Sequence, residues 1–175
     1  QTDHTQMNDW IWERKYEIDS LCYPVQLAYL LYKNTGRQDQ FNEDFVNGVT
    51  KILSVLETEQ DHQHSMYTFE RDTTRQEDTL INQGRGTEVV PTGMTWSGFR
   101  PSDDACKYGY LVPSNMFAVV ILGYLEELFS EVLIDEEIVA RARKLKEEIQ
   151  QGIEKHGRTV NQAGETIYAY EVDGK

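Results

Sequence analysis

Helical segments of two kinds alternate along this sequence, and the alternation restricts the possible folds more than any other feature. The segments from about Leu21 to Lys33 and Asn115 to Val132 are apolar almost all round, which is typical of helices buried on most sides. Two other segments, from about Phe41 to Leu56 and from Asp135 to His156, carry one apolar stripe each and therefore have one solvent-exposed face. The order buried, striped, buried, striped predicts an all-α fold, with the inner and outer helices of an α/α-barrel.

The ends of these helices have their own signals. Asp19 or Ser20 is expected to cap the first helix, with Pro24 tolerated in its first turn and Gly36 just past its end. Between residues 57 and 113 no long helical period is visible. Loops of that length in a compact domain are usually either functional or disordered.

Aromatic and charged residues are concentrated where this loop ends, between Thr95 and Ala118. The motif contains Trp96, Phe99, Arg100, Asp103 and Asp104, followed by Tyr108 and Tyr110. Aromatic faces stack on the C–H faces of a pyranose, while carboxylates and guanidinium groups hydrogen-bond its hydroxyls and can supply acid–base chemistry. The motif thus favours a carbohydrate site. The alternative is a surface loop with a solvated Asp pair and a few anchoring aromatic side chains.

Two further clusters of this kind occur. Residues 10–19 precede the first inner helix, just as residues 97–110 precede the second, so both clusters should lie at the same mouth of the barrel. A third cluster, residues 168–174, includes a Tyr-Glu-Val-Asp sequence that echoes Tyr-Glu-Ile-Asp at residues 16–19. If this weak repeat is real, it marks the entry to a third inner helix.

Composition excludes several functions. With 17 basic and 30 acidic residues the net charge is −13, which would repel nucleic acid and an anionic membrane surface. The longest apolar run is about half a membrane span. Cys22 and Cys106 do not have the spacing of a disulfide framework and are expected to be partly buried thiols. The four histidines are too scattered for a metal site, so no metal is expected and carboxylates are the only plausible catalysts.

Two long stretches, YEIDSLCYPVQLAYLLYKNTG (Tyr16 to Gly36) and GMTWSGFRPSDDACKYGYLVPSNMFAVVILGYL (Gly93 to Leu125), closely resemble the metal-independent exo-α-1,6-mannosidases of glycoside hydrolase family 125. The resemblance extends from about Asp9 to the C-terminus. It implies an (α/α)6 barrel with long active-site loops, an inverting mechanism, no cofactor, and a mannose-containing oligosaccharide or glycan as the partner.

The resemblance also implies roles for individual residues. An aspartate of the SGFRPSDDA motif corresponds to the general acid, and either Asp103 or Asp104 could be that residue. The substrate-binding candidates are Trp96 as a stacking wall, Arg100, Glu17, Asp19 and Tyr108. Arg100 could contact the sugar or keep the second aspartate ionised. Asp19 could instead only cap its helix.

One requirement of the family is unmet. An inverting hydrolase needs a second carboxylate about 6.5–9.5 Å from the acid, and the family's general base lies beyond the point where this chain stops. Twelve helices of this length would not fit in 175 residues. We therefore expect residues 1–175 to be one partial catalytic domain, inactive alone and able to pair with the missing part of the barrel. The alternatives are a non-catalytic carbohydrate-binding or interaction module, or an (α/α)6 hydrolase with another sugar specificity.

Overall fold

The computed structural model of this chain describes residues 2–5 and 7–175. Its helices are α1 (Ile18–Thr35), α2 (Glu43–Thr58), a short α3 (Ile81–Gly84), α4 (Val112–Glu131) and α5 (Glu136–His156), with 3-10 turns at Glu59–His64 and Gln76–Asp78. Its short strands are β1 (Thr2–Asp3), β2 (Arg71–Asp72), β3 (Tyr110–Leu111), β4 (Arg158–Val160), β5 (Thr166–Tyr168) and β6 (Glu171–Val172). The strands form the antiparallel pairs β1–β2, β3–β6 and β4–β5.

Helix α1 begins earlier than the sequence predicts. Glu17 is its N-cap residue and makes no side-chain capping bond, so Asp19 lies inside the first turn and is not the cap. Pro24 consequently lies further inside the helix than expected. The C-terminal prediction is confirmed, because Gly36 adopts φ +72° and its N–H donates to the carbonyl of Tyr32.

The two outer helices begin at side-chain caps. Asn42 accepts a hydrogen bond from the N–H of Phe45 at the start of α2. Asp135 accepts bonds from two N–H groups at the start of α5. These caps satisfy backbone donors that would otherwise lack partners in the first helical turn.

The inner helices α1 and α4 run parallel. Tyr23 lies against Phe117 near their N-terminal ends (5.1 Å between ring centroids), and Tyr29 stacks on Tyr124 further along (3.9 Å). The same order of contacts on both helices places their N-termini at one end of the fold, as the sequence predicts.

The outer helices cover this pair from one side. Helix α5 packs on α4 and is joined to α2 through Arg141, whose guanidinium donates to both carboxylate oxygens of Glu57. Helix α4 has nine buried residues among 20, and α5 has six among 21. The predicted order of burial is therefore confirmed. Helix α4 has the length and apolar composition of a membrane span, but half of its apolar stretch is buried within the fold.

Helix α1 is more exposed to solvent on one face than the sequence predicts. Tyr23, Leu27 and Leu30 are exposed there, and Val120 of α4 is also exposed. The sequence predicted a helix buried on most sides, but its apolar surface exceeds what α2 and α4 cover. This group of four side chains is called the open face below.

The long loop between α2 and α4 is ordered. It folds over the N-terminal ends of the inner helices and contributes large buried side chains, among them Phe69, Met94, Trp96 and Phe99. The loop is therefore packed against the helices, and its functional role stays a prediction.

Candidate active site

A tight hairpin carries the two adjacent aspartates; its residues 99–105 are called the Asp hairpin below. The first and last of these residues pair across it as an antiparallel bridge. Inside, the N–H of Arg100 donates to the carbonyl of Asp104 (2.8 Å), and the N–H of Asp103 donates to the carbonyl of Arg100 (2.9 Å). The tip is thus fixed by its own backbone.

Asp103 has an unusual backbone conformation at this tip. Its φ is +67°, in the left-handed region that favours glycine. A residue with a side chain is strained there, and such strain is concentrated at functional sites. The side chain of Asp103 is exposed. The carboxyl group is therefore accessible at the hairpin tip, on a backbone conformation that aspartate adopts more readily than most residues.

Glu17 brings a second carboxyl group to Asp103. It immediately precedes α1, and its Oε2 accepts a hydrogen bond from Ser20 Oγ (2.8 Å). Burial is the main cause that raises the pKa of Glu17, and the negative charges of Asp19 and Asp103 and a side-chain hydrogen bond with Asp103 raise it further. Glu17 therefore keeps its proton to a higher pH than a solvated glutamate does.

Asp104 has a different environment. Its Oδ2 accepts a hydrogen bond from Ser102 Oγ (2.9 Å), and its carbonyl closes the turn with Arg100. Of the two adjacent aspartates, Asp103 therefore contacts Glu17, and Asp104 is held within the Asp hairpin.

Asp19 lies in the first turn of α1, two residues after Glu17. It is 7% exposed, and among the described residues its Oδ1 has no hydrogen-bond partner. Burial raises its pKa above the ordinary value for an aspartate. A buried acceptor without a donor is costly, so this oxygen stands out among the carboxylate oxygens near the start of α1.

Arg100 pairs with a residue that the sequence did not suggest. Its Nε donates to Oε1 of Glu171 at 2.5 Å, and this pairing raises the pKa of the guanidinium. The expectation that Arg100 keeps the second aspartate of the motif ionised is therefore wrong. A sugar contact by Arg100 remains a prediction, because its side chain is partly exposed.

Tyr108 lies just after the Asp hairpin and its ring is partly exposed. The ammonium of Lys107 lies 5.3 Å from the centre of that ring. Together with residues 171–175, Tyr108 lines an open cavity of about 300 Å³. The ring is accessible from this cavity, and its role in substrate binding stays a prediction.

Trp96 is a structural residue. It is 1% exposed, and its indole stacks on the imidazole of His62 with 3.5 Å between ring centroids. Gly86 and Gly109 approach its edges so closely that a Cβ at either position would lie within 3 Å of the indole. The prediction of a sugar-stacking wall is wrong for this ring, because neighbouring residues enclose it.

Sequence reasoning missed two residues that hold the Asp hairpin. The ammonium of Lys15, with a side chain only 6% exposed, donates to Asp78 (2.6 Å) and to the carbonyl of Asp103 (2.8 Å). Glu171 binds Arg100 from the opposite end of the sequence. Lys15 falls inside the first aromatic cluster and Glu171 inside the third, so those clusters were the available signals.

The histidines are engaged in local contacts. His62 Nδ1 lies 2.6 Å from a carboxylate oxygen of Glu59, and His64 Nδ1 lies 2.7 Å from one of Asp61. Across residues 2–5 and 7–175, no group of three or more His, Cys, Asp or Glu side chains could hold a metal ion.

Two parallel inner helices direct their N-terminal ends toward a cluster of carboxyl groups, and outer helices cover them. This arrangement of fold and site is that of part of an (α/α)6-barrel glycoside hydrolase.

Comparison with known proteins identifies the family. The model of the metal-independent alpha-mannosidase family GH125 matches residues 1–175. The chain belongs to this family.

Individual relatives agree with this assignment. A solved structure of a Streptococcus pneumoniae metal-independent alpha-mannosidase, in a non-productive complex with alpha-1,6-mannobiose, is 58% identical. It superposes with a TM-score of 0.97 over 99% of this chain and 41% of that chain. The Meiotically up-regulated gene 157 protein of Schizosaccharomyces pombe is 33% identical over 174 residues, which are 94% of this chain and 34% of that protein. The chain thus spans well under half the length of both relatives.

Proposed function

We propose that this chain is the acid-bearing portion of an exo-acting, inverting α-1,6-mannosidase that removes terminal mannose from the non-reducing end of a glycan. The observation that carries the proposal is the position of the Asp hairpin at the N-terminal end of α1, where the N–H of Phe99 donates to the carbonyl of Tyr16 and Asp103 lies beside Glu17. The similarity to a family member in complex with alpha-1,6-mannobiose supports the choice of sugar and linkage.

Asp103 is our choice for the general acid. Its carboxyl group is exposed at the tip of the Asp hairpin, where the oxygen of a glycosidic bond can approach it. Glu17 lies beside it, and burial together with the charges of Asp19 and Asp103 raises the pKa of Glu17. Asp104 lacks this second carboxyl group and is bound to Ser102.

Inversion requires two proton transfers on opposite faces of the sugar. Asp103 gives its proton to the glycosidic oxygen while the bond between that oxygen and the anomeric carbon breaks. A second carboxylate, about 6.5–9.5 Å away, removes a proton from the water that attacks the anomeric carbon. The α-linked sugar then leaves as β-mannose.

We place the water-activating carboxylate in a part of the domain outside this chain. Burial raises the pKa of Glu17, Asp19 is buried, and both oxygens of Glu171 already accept hydrogen bonds. In this proposal residues 1–175 are one partial domain, inactive alone, and the open face pairs with the rest of the barrel.

Four side chains would bind the sugar around the acid. Asp19 has an unpaired carboxylate oxygen, and Glu17 lies beside the acid with one oxygen bound to Ser20. Arg100 and Tyr108 are partly exposed next to the Asp hairpin. Hydroxyl groups supply both donors and acceptors, so a mannose would satisfy this mixture of charges without carrying one itself.

The proposal is tested with Asp103→Asn and Asp104→Asn in a full-length protein that contains this sequence. Asparagine keeps the side-chain shape but has no proton to give, so turnover of α-1,6-mannobiose by Asp103→Asn should fall about 10²–10⁴-fold. A dinitrophenyl mannoside needs little protonation of its leaving group and should be spared. Asp104→Asn should lack this selectivity. Proton NMR of the parent should show β-mannose as the first product.

Other outcomes would favour other functions. If both variants keep near-parental turnover of mannobiose, the Asp hairpin does not carry the acid and the assignment is wrong. A parent that binds mannobiose in calorimetry without cleaving it would indicate a carbohydrate-binding module. Faster cleavage of a glucoside than of the matched mannoside would indicate a different sugar specificity.

A further inference from the structure

We infer that Glu171 is a positioning residue that holds the Asp hairpin where Asp103 can reach the departing oxygen. This inference rests on the proposed function, because it takes Asp103 as the acid. Glu171 lies on β6 near the end of the chain, 71 residues from Arg100 in sequence.

The carboxylate of Glu171 binds both arms of the hairpin. Oε1 accepts from Nε of Arg100, in the first arm (2.5 Å). Oε2 accepts from the N–H groups of Lys107 (2.8 Å) and Tyr108 (3.0 Å), which follow the second arm. One side chain thus fixes the separation of the two arms whose tip carries Asp103.

Burial strengthens these bonds. The Glu171 side chain is 3% exposed, so little water competes for its oxygens. Hydrogen bonds in which one partner is ionised are about twice as strong as neutral ones, and here the bond to Arg100 joins two charges. Removing one charge of a buried pair leaves the other uncompensated, which forces the local structure to adjust.

Glu171 is itself attached to an inner helix. On the antiparallel pair β3–β6 it lies opposite Leu111, and Val112 at the start of α4 donates its N–H to the carbonyl of Tyr170 (2.9 Å). Glu171 therefore sets the hairpin relative to the N-terminal end of α4.

The other inner helix contacts the hairpin through the first copy of the repeated motif. The N–H of Phe99 donates to the carbonyl of Tyr16 (3.0 Å), and Glu17 contacts Asp103. The two Tyr-Glu-(Ile/Val)-Asp sequences thus place one glutamate at the tip of the Asp hairpin and one at its base. Both copies of the repeat therefore have the same structural role, which is to align the hairpin with an inner helix.

The test uses Glu171→Gln in the full-length protein. A glutamine amide has one acceptor oxygen and one donor group, so it cannot serve Arg100 and the two backbone N–H groups together. A displacement of about 1 Å at a reacting group can lower the rate about 10²-fold. We expect kcat on α-1,6-mannobiose to fall about 10–100-fold, with a much smaller fall on the dinitrophenyl mannoside.

Glu57→Gln is the matched control. Glu57 also pairs with an arginine, Arg141, but between α2 and α5 and away from the hairpin. Thermal unfolding of both variants measures lost stability. Glu57→Gln should leave the ratio of the two substrate rates unchanged.

A double variant separates positioning from folding. If Glu171 acts through the acid, adding Glu171→Gln to Asp103→Asn should change mannobiose turnover little further. Equal losses of Glu171→Gln on both substrates, or full additivity in the double variant, would overturn the inference. If Asp103→Asn alone leaves mannobiose turnover unchanged, the proposed function has failed; if only Glu171→Gln fails to discriminate between the substrates, this inference alone is wrong.

Discussion

Replacing Asp103 with glycine separates the structural strain of this residue from its chemistry. At φ +67° a residue with a side chain is strained, whereas glycine adopts this conformation without strain. The backbone contacts of residue 103 do not depend on its side chain: its N–H donates to Arg100 and its carbonyl accepts from Lys15. The substitution should therefore keep the hairpin and remove only strain and charge.

The expected gain follows from two opposing effects. The left-handed conformation costs about 1–2 kcal/mol for a residue with a side chain, with aspartate at the low end of that range. Glycine loses more backbone entropy on folding, which removes about 0.5–1 kcal/mol of the gain. Removing the carboxylate also relieves its repulsion of Glu17. The net stabilisation should be up to about 0.5 kcal/mol, or about 1–2 °C in Tm for a domain of this size.

Thermal unfolding and mannobiose turnover should be measured on the same preparation. Asp103→Gly should melt higher than the parent and lose its activity, which is the trade-off expected at a strained catalytic position. Asp104→Gly is the control in the same hairpin, because residue 104 does not have positive φ, and it should lose about 0.5–1 kcal/mol. An Asp103→Gly variant that is destabilised as much as Asp104→Gly would refute the reasoning.

Three further predictions follow from single contacts. Gly109→Ala should lower the free energy of unfolding in urea by about 2–4 kcal/mol, because at φ +84° its Cβ would lie 2.7 Å from Nε1 of Trp96. The control Gly164→Ala has a similar φ of +81° but open space around it, and should lower this free energy by only about 1 kcal/mol. Equal losses would show that packing on the indole is unimportant. The pKa of Glu17 is raised in the folded state, so its stabilising contribution is present below its ordinary pKa of 4.5 and is lost as pH rises through the folded-state value. The Glu17→Gln variant should therefore be more stable than the parent at pH 7 and equally stable at lower pH. If the parent is as stable as Glu17→Gln at pH 7, or more stable, the predicted direction of the pH dependence is wrong. The isolated chain should self-associate in sedimentation, because Leu27 on the open face is 72% exposed; a monomer that melts cooperatively would contradict this.

The fold was largely predictable because helical periodicity is a local signal. The two stripes and the two all-apolar segments correspond to α2, α5, α1 and α4, and their order of burial follows from composition. The start of α1 was predicted three residues late, since Glu17 caps it without a side-chain bond and leaves no capping signature. The open face was not predictable, because periodicity shows which side chains are apolar and not which neighbours cover them.

For the candidate site, the sequence predicts residue types better than it predicts their contacts. The motif around Asp103 and Asp104 was recognised, but only the structure shows that Asp103 is the one beside Glu17. The burial of Trp96 depends on His62, and the partner of Arg100 is 71 residues away in sequence. Contacts between distant segments leave no periodic pattern, so sequence reasoning could give the residue types of the site but not their pairing.

Two opposing influences act on the carboxyl group of Glu17. It is the N-cap residue of α1, where the positive end of the helix dipole favours the ionised form of a carboxyl group. Burial and the negative charges of Asp19 and Asp103 oppose that field, and the pKa of Glu17 is raised, so burial and charge outweigh the helix terminus. In the mechanism proposed above, the hairpin therefore presents Asp103 beside a carboxyl group that keeps its proton to higher pH than a solvated glutamate, and a glycosidic oxygen can approach the tip without meeting a second full negative charge.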